Sequence, residues 1–196
     1  MFKMRIVLTK VSRRYAGSDG MRFLSLITIL LVTQATSALT LKTFTEAVQS
    51  TFPTADNVKR QSIYLTQEQV ARAAKYAGEP ISTAFFVVYS VTRAGKMLGW
   101  VYLDTHRVRT LNETVFISID PDHRVHNVQI LNFHEPQEYI ATDRFLALMK
   151  GRTLANKPSM RGDIPLIAGA TLTSDALVSS VARILAVHKV ITEGAR

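Results

Sequence analysis

The sequence predicts an α+β fold: an antiparallel sheet of hairpins flanked by N-terminal helices and a long C-terminal helix. The middle of the chain contains runs of β-branched and aromatic residues separated by turn residues, which is typical of strands joined as hairpins. On both sides of this region apolar residues recur at helical spacing. Helices at both ends with strands between them favour α+β over an alternating α/β arrangement.

Apolar spacing and capping residues define the predicted helices. Thr66 is an N-cap type and Gln69 follows three residues later, as in a capping box. Pro53 ends the helix before it, and Pro80 follows the end of this one. The predicted helices are Leu41–Phe52, Thr66–Gly78, Asp143–Met149 and about Thr173–Thr192.

Four strands are predicted between the second and third helices. Arg93–Lys96 is a turn between the first two, and Asp120–His123 is a turn between the last two, because Asp opens it and Pro121 presets φ at its second position. Two successive hairpins result. The predicted strands are Thr83–Val91, Met97–Leu103, Glu113–Ile119 and Val125–Phe133.

The N-terminal segment reads as a targeting signal and not as part of the fold. Met21-Arg22 is followed by the apolar run Phe23–Val32 and then by small residues ending at Ala38. A positive flank, a short apolar core and a small-residue exit are the parts of a secretory signal peptide. We predict a signal peptide, or an uncleaved anchor, over residues 1–38. A helical lead-in over 39–64 and the main domain over 65–196 follow it.

Charge and cysteine content exclude several classes of function. Six of the 24 basic residues and one of the 15 acidic residues lie in the predicted leader, so the net charge falls from +9 to about +4 without it. This small, scattered charge does not indicate nucleic-acid binding. The chain has no cysteine, which excludes disulfides, thiolate metal sites and iron–sulfur clusters. An electron carrier of this composition needs a cofactor held in another way.

The stretch Ala168–Asp175 is the most informative motif. It is a small-residue turn that opens directly into the last predicted helix. Gly169 and Ala170 allow close approach of the backbone, and Thr171, Thr173 and Ser174 are all N-cap types. The free amides and the positive end of a helix form a ready phosphate site. An ordinary helix cap is the alternative interpretation of the same residues.

Ile167–Ser174 (IAGATLTS) resembles the flavin attachment motif of the FMN-binding domain family. Members include the C and G flavin subunits of the sodium-pumping NADH:quinone oxidoreductase and of the Rnf complex. Further upstream, Leu103–Arg109, Ile119–Asp122 and Asn132–Tyr139 resemble a single-domain, exported branch of that family. The resemblance spans roughly Leu65–Lys189.

The resemblance implies a covalent FMN. In the family, a flavin transferase moves FMN from FAD onto a threonine hydroxyl, and the matching residue is Thr171, with Thr173 as the reserve acceptor. Gly169, Ala170, Thr173 and Ser174 then surround the attachment point. The resemblance also places Glu135, Glu138 and Tyr139 near the flavin ring. It implies an electron carrier that works outside the cytoplasm, between a membrane donor and a membrane or periplasmic redox partner.

Two departures from the family pattern keep alternatives open. Pro165 stands where the motif has an acidic residue, with Asp163 two positions out of register, and Ala168 replaces the Ser or Thr before the glycine. These departures favour an unflavinylated binding or sensing module of the same fold. A flavin-dependent periplasmic reductase is a further alternative, although no acid–base constellation stands out in the sequence.

Other polar residues give weaker signals. Asp104 and His106 stand two residues apart and Arg109 follows three residues later, and these residues can be interpreted as a charged ligand set. The histidines lack the spacing of a metal motif, so no metal site is predicted. For Trp100 a place in the core or on the sheet is the more common role than stacking on a flavin.

The leader prediction can be checked directly. N-terminal sequencing of protein recovered from the periplasm should begin at or near Leu39, because the small residues before it suit the cleavage site. A cytosolic protein whose chain still begins before Met21 would contradict export.

Overall fold

The computed structural model describes residues 41–160, residue 164 and residues 171–194. The predicted leader and the motif residues Asp163, Pro165, Ala168, Gly169 and Ala170 lie outside this range. The helices are α1 (Phe44–Thr51), α2 (Gln67–Ala77), α3 (Asp143–Ala147) and α4 (Thr171–Glu193), with a 3-10 turn at Gln137–Tyr139. The strands are β1 (Asn57–Tyr64), β2 (Phe85–Arg93), β3 (Lys96–Arg107), β4 (Asn112–Ile119) and β5 (Val125–Phe133).

The five strands form one antiparallel sheet in the order β1-β2-β3-β4-β5. Each strand therefore pairs with its neighbour in sequence, as expected for consecutive hairpins. The predicted α+β fold, with its antiparallel sheet and long C-terminal helix, is confirmed. None of the helices in the described ranges is both long enough and apolar enough to cross a membrane.

Helices cover both faces of the sheet. On one face, apolar residues of β3, β4 and β5 join α4 in the largest core cluster, which includes Tyr102, Ile117 and Leu177. On the other face, Phe116 and Val101 pack with residues of α1. Because alternate residues of a strand point to opposite faces, β4, which lies between β3 and β5, is buried on both sides.

Helix α2 lies beside α4 and shares a third cluster with it. Helix α2 begins and ends at residues that are typical of helix caps. Thr66 accepts the amide of Gln69 and the Gln69 side chain accepts the amide of Thr66, so the predicted capping box is confirmed. Gly78 ends the helix with φ of 84°, a conformation that favours glycine.

Strand β1 is a difference from the sequence analysis, which predicted only helix between residues 39 and 64. All its residues except Ile63 are exposed, so the strand has no alternating apolar pattern. It forms because β2 offers a free edge, and the two strands pair from Asn57 opposite Thr92 to Tyr64 opposite Phe85. Strand pairing across the chain, and not local propensity, specifies this element.

Gly99 is the glycine that the sheet most requires. A Cβ at this position would lie 2.5 Å from the carbonyl oxygen of Ile119 and 3.1 Å from the Phe52 ring. We expect Gly99→Ala to lower the free energy of unfolding by about 1–3 kcal/mol, because backbone must move to admit the methyl group. Denaturant unfolding measures the loss.

Gly95 provides the control for this substitution. It also has a positive φ, 76°, but no atom lies within 4 Å of its Cβ position. Asn tolerates this conformation, so Gly95→Asn should change stability little. Equal losses from the two variants would contradict the steric explanation.

Candidate functional site

The first turn of α4 presents one of its hydroxyl side chains to solvent and buries the other two. Thr171, the first helical residue, is exposed, whereas Thr173 and Ser174 are 1% and 0% exposed. The Thr173 hydroxyl donates to the carbonyl oxygen of Tyr139 at 2.7 Å. This bond attaches the start of α4 to the 3-10 turn that follows β5.

The turn between β3 and β4 is held by a single carboxylate. Glu135 Oε1 accepts the backbone amides of Arg109, Thr110 and Leu111 at 3.2, 2.6 and 2.8 Å. The amides of Leu111 and Thr110 are the main cause of the lowered pKa of Glu135, since they stabilise its ionised form. Three converging amides fix the loop beside the segment that ends at Tyr139.

Arg109 completes a cluster with Thr173, Tyr139 and Glu135. Its guanidinium carbon lies 5.1 Å from the centre of the Tyr139 ring, in a cation–π contact. A connected series of contacts therefore runs from Thr173 through Tyr139 and Arg109 to Glu135. Glu138 is exposed on the same 3-10 turn, and no side-chain contact in the described part of the chain joins it to the cluster.

The cluster has the features that an anionic, planar ligand requires. The first amides of a helix have no intrahelical partner and carry the positive end of its dipole. Here they adjoin an exposed hydroxyl, Thr171, and are linked through Thr173 and Tyr139 to an arginine that is stacked on an aromatic ring. A phosphate would bind the amides and the guanidinium, and a phosphoester would form on the exposed hydroxyl. The described residues thus fit a phosphate-bearing cofactor.

A buried charged network lies between the sheet and the middle of α4. Asp104 Oδ2 accepts His106 Nδ1 at 2.9 Å, the hydroxyl of Ser180 at 2.6 Å and Arg183 Nη2 at 2.6 Å. The second ring nitrogen of His106, Nε2, donates to Glu113 Oε1 at 2.9 Å. The other guanidinium nitrogen of Arg183 bonds Glu79 at 3.1 Å. We call Asp104, His106, Glu113 and Arg183 the charged network.

The network perturbs the pKa values of Asp104, His106 and Glu113. Burial by itself would raise the pKa of Asp104, but the hydrogen bond from His106 and the charge of Arg183 lower it to about 2. Burial would lower the pKa of His106, but hydrogen bonds to Asp104 and Glu113 raise it to about 9. His106 is therefore an imidazolium at neutral pH, with both ring nitrogens donating. Burial raises the pKa of Glu113, and His106 partly offsets this effect.

A second polar group lies near the C-terminal end of α4. His188 is buried, and its Nδ1 and Nε2 lie 2.8 Å from the Tyr102 hydroxyl and 2.9 Å from His123 Nδ1. Burial and the neighbouring His123 lower the pKa of His188 to about 3, so the ring is neutral. The adjoining cavity of about 430 Å³ is about five helical turns from Thr171 and does not belong to the same site.

The structure brings together only part of the predicted site. Glu135, Tyr139 and Thr173 are linked, Thr171 and Ser174 are on the same turn, and Arg109 joins them through Tyr139. Sequence reasoning missed Glu113, Ser180 and Arg183. Asp104 and His106 were noticed, but their partners on α4 and β4 were not. The signal available in the sequence was the presence of Ser180 and Arg183 in the mainly apolar middle of α4, residues 176–187.

The chain was compared with models of known protein families. The family model for the FMN-binding domain matches residues 112–186. The match begins at the first residue of β4 and ends in α4, so it includes Thr171 and the Glu135–Tyr139 segment. Over these residues it confirms the family resemblance, and it supports FMN as the cofactor. No curated protein matches the chain.

The raised pKa of His106 predicts a loss of stability at alkaline pH. A group whose pKa rises on folding stabilises the protein fully below its unfolded value, 6.5, and loses this contribution as the pH passes through the folded value, about 9. We expect the free energy of unfolding to fall by on the order of 2 kcal/mol across this window. Urea unfolding at a series of pH values measures it.

His106→Gln should be less stable at neutral pH and should lack most of the alkaline decline. His134→Gln is the control, because His134 is exposed and its ring contacts only the Asn132 side chain among the described residues. A wild-type pH profile in His106→Gln would contradict the assignment.

Proposed function

The chain contains an FMN-binding domain of this family at residues 112–186, and from that premise we propose that it carries FMN as a phosphoester on Thr171 and acts as an exported electron carrier. As a flavin-binding protein it needs a site for the phosphate and a site for the ring. The described residues supply candidates for both. A flavin transferase is the proposed source of the FMN, which it takes from FAD.

The different exposure of the two threonines is the observation that carries this proposal. An acceptor hydroxyl must be reached by the transferase and must be free to attack a phosphate. Thr171 is exposed at the start of α4. Thr173 is 1% exposed and its hydroxyl already donates to Tyr139. This contrast supports Thr171 over Thr173 as the acceptor.

The neighbouring residues would bind and orient the cofactor. The amides at the start of α4 stabilise phosphate charge, and the Arg109 guanidinium adds a full positive charge nearby. Glu135 fixes the loop that carries Arg109, and Tyr139 supplies an aromatic surface. Bound FMN would supply the redox chemistry, since flavin accepts two electrons and can release them singly.

The proposal also includes export and the redox partners of the protein, which the sequence supports. The leader pattern at residues 1–38 supports work in the periplasm, with retention at the inner membrane if the leader stays uncleaved. A covalent bond prevents loss of the cofactor in that compartment. The proposed partners are a membrane electron donor and a membrane or periplasmic acceptor.

Thr171→Ala tests the acceptor. Coexpressed with a flavin transferase, the wild-type chain should gain the mass of a covalently bound FMN and fluoresce on a denaturing gel, and Thr171→Ala should lose both signals. Its stability should fall by about 1 kcal/mol or less, since only a helix-terminal hydroxyl is removed. Intact-protein mass spectrometry gives the flavinylated fraction.

Thr173→Ala is the matched control, one step further into the same turn. It should keep the flavin mass while losing some stability, because the carbonyl of Tyr139 loses its donor. The reverse pattern, with flavin lost only in Thr173→Ala, would move the attachment point. A folded wild-type chain that gains no flavin would favour the unflavinylated module.

A further inference from the structure

Glu113 is a buried carboxylate whose role is not explained by packing. Its side chain is 0% exposed on β4. One oxygen accepts His106, but Oε2 has no hydrogen-bond partner among the described residues. Burying an ionised carboxylate with an unsatisfied oxygen is costly, and an apolar residue would avoid that cost. A residue of this kind points to a function that needs an ionisable group.

The surroundings of Glu113 are nearly balanced in charge. Among the described residues, β3 places Asp104 and His106 against it and α4 places Arg183 behind Asp104. On the neighbouring strand β5, Phe133 lies opposite Glu113. With Glu113 ionised the charged network is neutral, and with Glu113 protonated it carries one positive charge. Glu79 pairs with Arg183 at the rim and is 31% exposed.

Glu113 is also connected to the proposed flavin site. It is two residues from Leu111, whose amide donates to Glu135. The same loop carries Arg109, which stacks on Tyr139, and Tyr139 accepts the hydroxyl of Thr173. The start of β4 and the three contacts just described therefore connect the Glu113 carboxylate to the start of α4. Charge that arrives at the cofactor would act on Glu113, whose fully buried side chain is only weakly screened by solvent.

We propose that Glu113 is a redox-linked proton acceptor, which binds one proton when the cofactor is reduced and releases it on reoxidation. This inference rests on the proposed function. In each cycle the electrons come from the external donor and leave to the acceptor. One O–H bond forms on Glu113 with a proton from solvent, and the same bond breaks as the electrons leave. The network reaches solvent at His106 and Asp104, whose side chains are 12% and 13% exposed.

The sign of the electrostatic effect supports this role. Burial already raises the pKa of Glu113, so its ionised form is held less firmly than that of an exposed glutamate. A negative charge added nearby raises the pKa of a carboxyl further. Asp104 does not share this behaviour, because Ser180, Arg183 and His106 all donate to its Oδ2 and hold its pKa at about 2. His106 is already protonated at neutral pH, so Glu113 is the group in the charged network that can take up a further proton there.

The test is infrared difference spectroscopy on the flavinylated protein, reduced with dithionite and then reoxidised. Wild type should show a protonated-carboxyl band that appears on reduction and disappears on reoxidation. The band should shift in protein labelled with ¹³C-glutamate, which separates glutamate from aspartate without any substitution. Glu113→Gln should lack the band and should have a more positive midpoint potential at alkaline pH, since its side chain is permanently neutral.

Glu68→Gln is the control variant, because it removes one carboxylate from the exposed first turn of α2. It should keep both the band and the wild-type potential. The absence of a glutamate band in flavinylated wild type would overturn the proposal, whether or not Glu113→Gln folds. A band that persists in Glu113→Gln would overturn it as well.

A titration of the unloaded protein adds a readout that does not depend on the cofactor. In ¹³C-glutamate-labelled chain, one carboxyl resonance should titrate above the range of the other glutamates and should be missing in Glu113→Gln. If every glutamate titrates in its ordinary range, the proposal fails while the flavin proposal stands. Failure of flavinylation itself is seen separately, as a missing FMN mass.

Discussion

Helix α4 presents polar side chains to the sheet, and the Asp104 carboxylate accepts hydrogen bonds from two of them, Ser180 and Arg183. Apolar packing alone would allow the helix to slide or rotate on the sheet, because contacts between aliphatic side chains are not directional. A carboxylate with defined partners has no such freedom. The position of α4, and therefore of Thr171 at its start, depends on this interaction.

The cost of burying charge explains why the network is so complete around Asp104, and it makes the incomplete pairing of Glu113 an exception. Removing charges from water is unfavourable unless each finds a partner. Asp104 finds three donors on one oxygen, and His106 uses both ring nitrogens. The remaining oxygen of Glu113 has no partner in the described part of the chain. The same arrangement thus orients a helix and leaves one group able to respond to charge nearby.

The fold was predictable wherever local chemistry agreed with the final structure. The capping box at Thr66, the turn at Asp120–His123 and the alternation in the central strands all specify their elements through neighbours in sequence. Strand β1 was not predictable in this way. Its exposed, polar residues carry no periodic signal, and it becomes a strand only because the edge of β2 is available to pair with it.

The sequence by itself determined the class of fold, the start of the last helix and the candidate attachment motif, because these depend on residues close together along the chain. Only the tertiary structure decided which threonine is accessible and which charges meet. Thr171 and Thr173 are both N-cap types by sequence, and the difference arises because the chain folds Tyr139 against one of them. The ionisation of Glu113 depends on its burial and on His106, which lies opposite it on β3. Burial and long-range hydrogen bonds are properties of the packed molecule, so no local pattern could encode them.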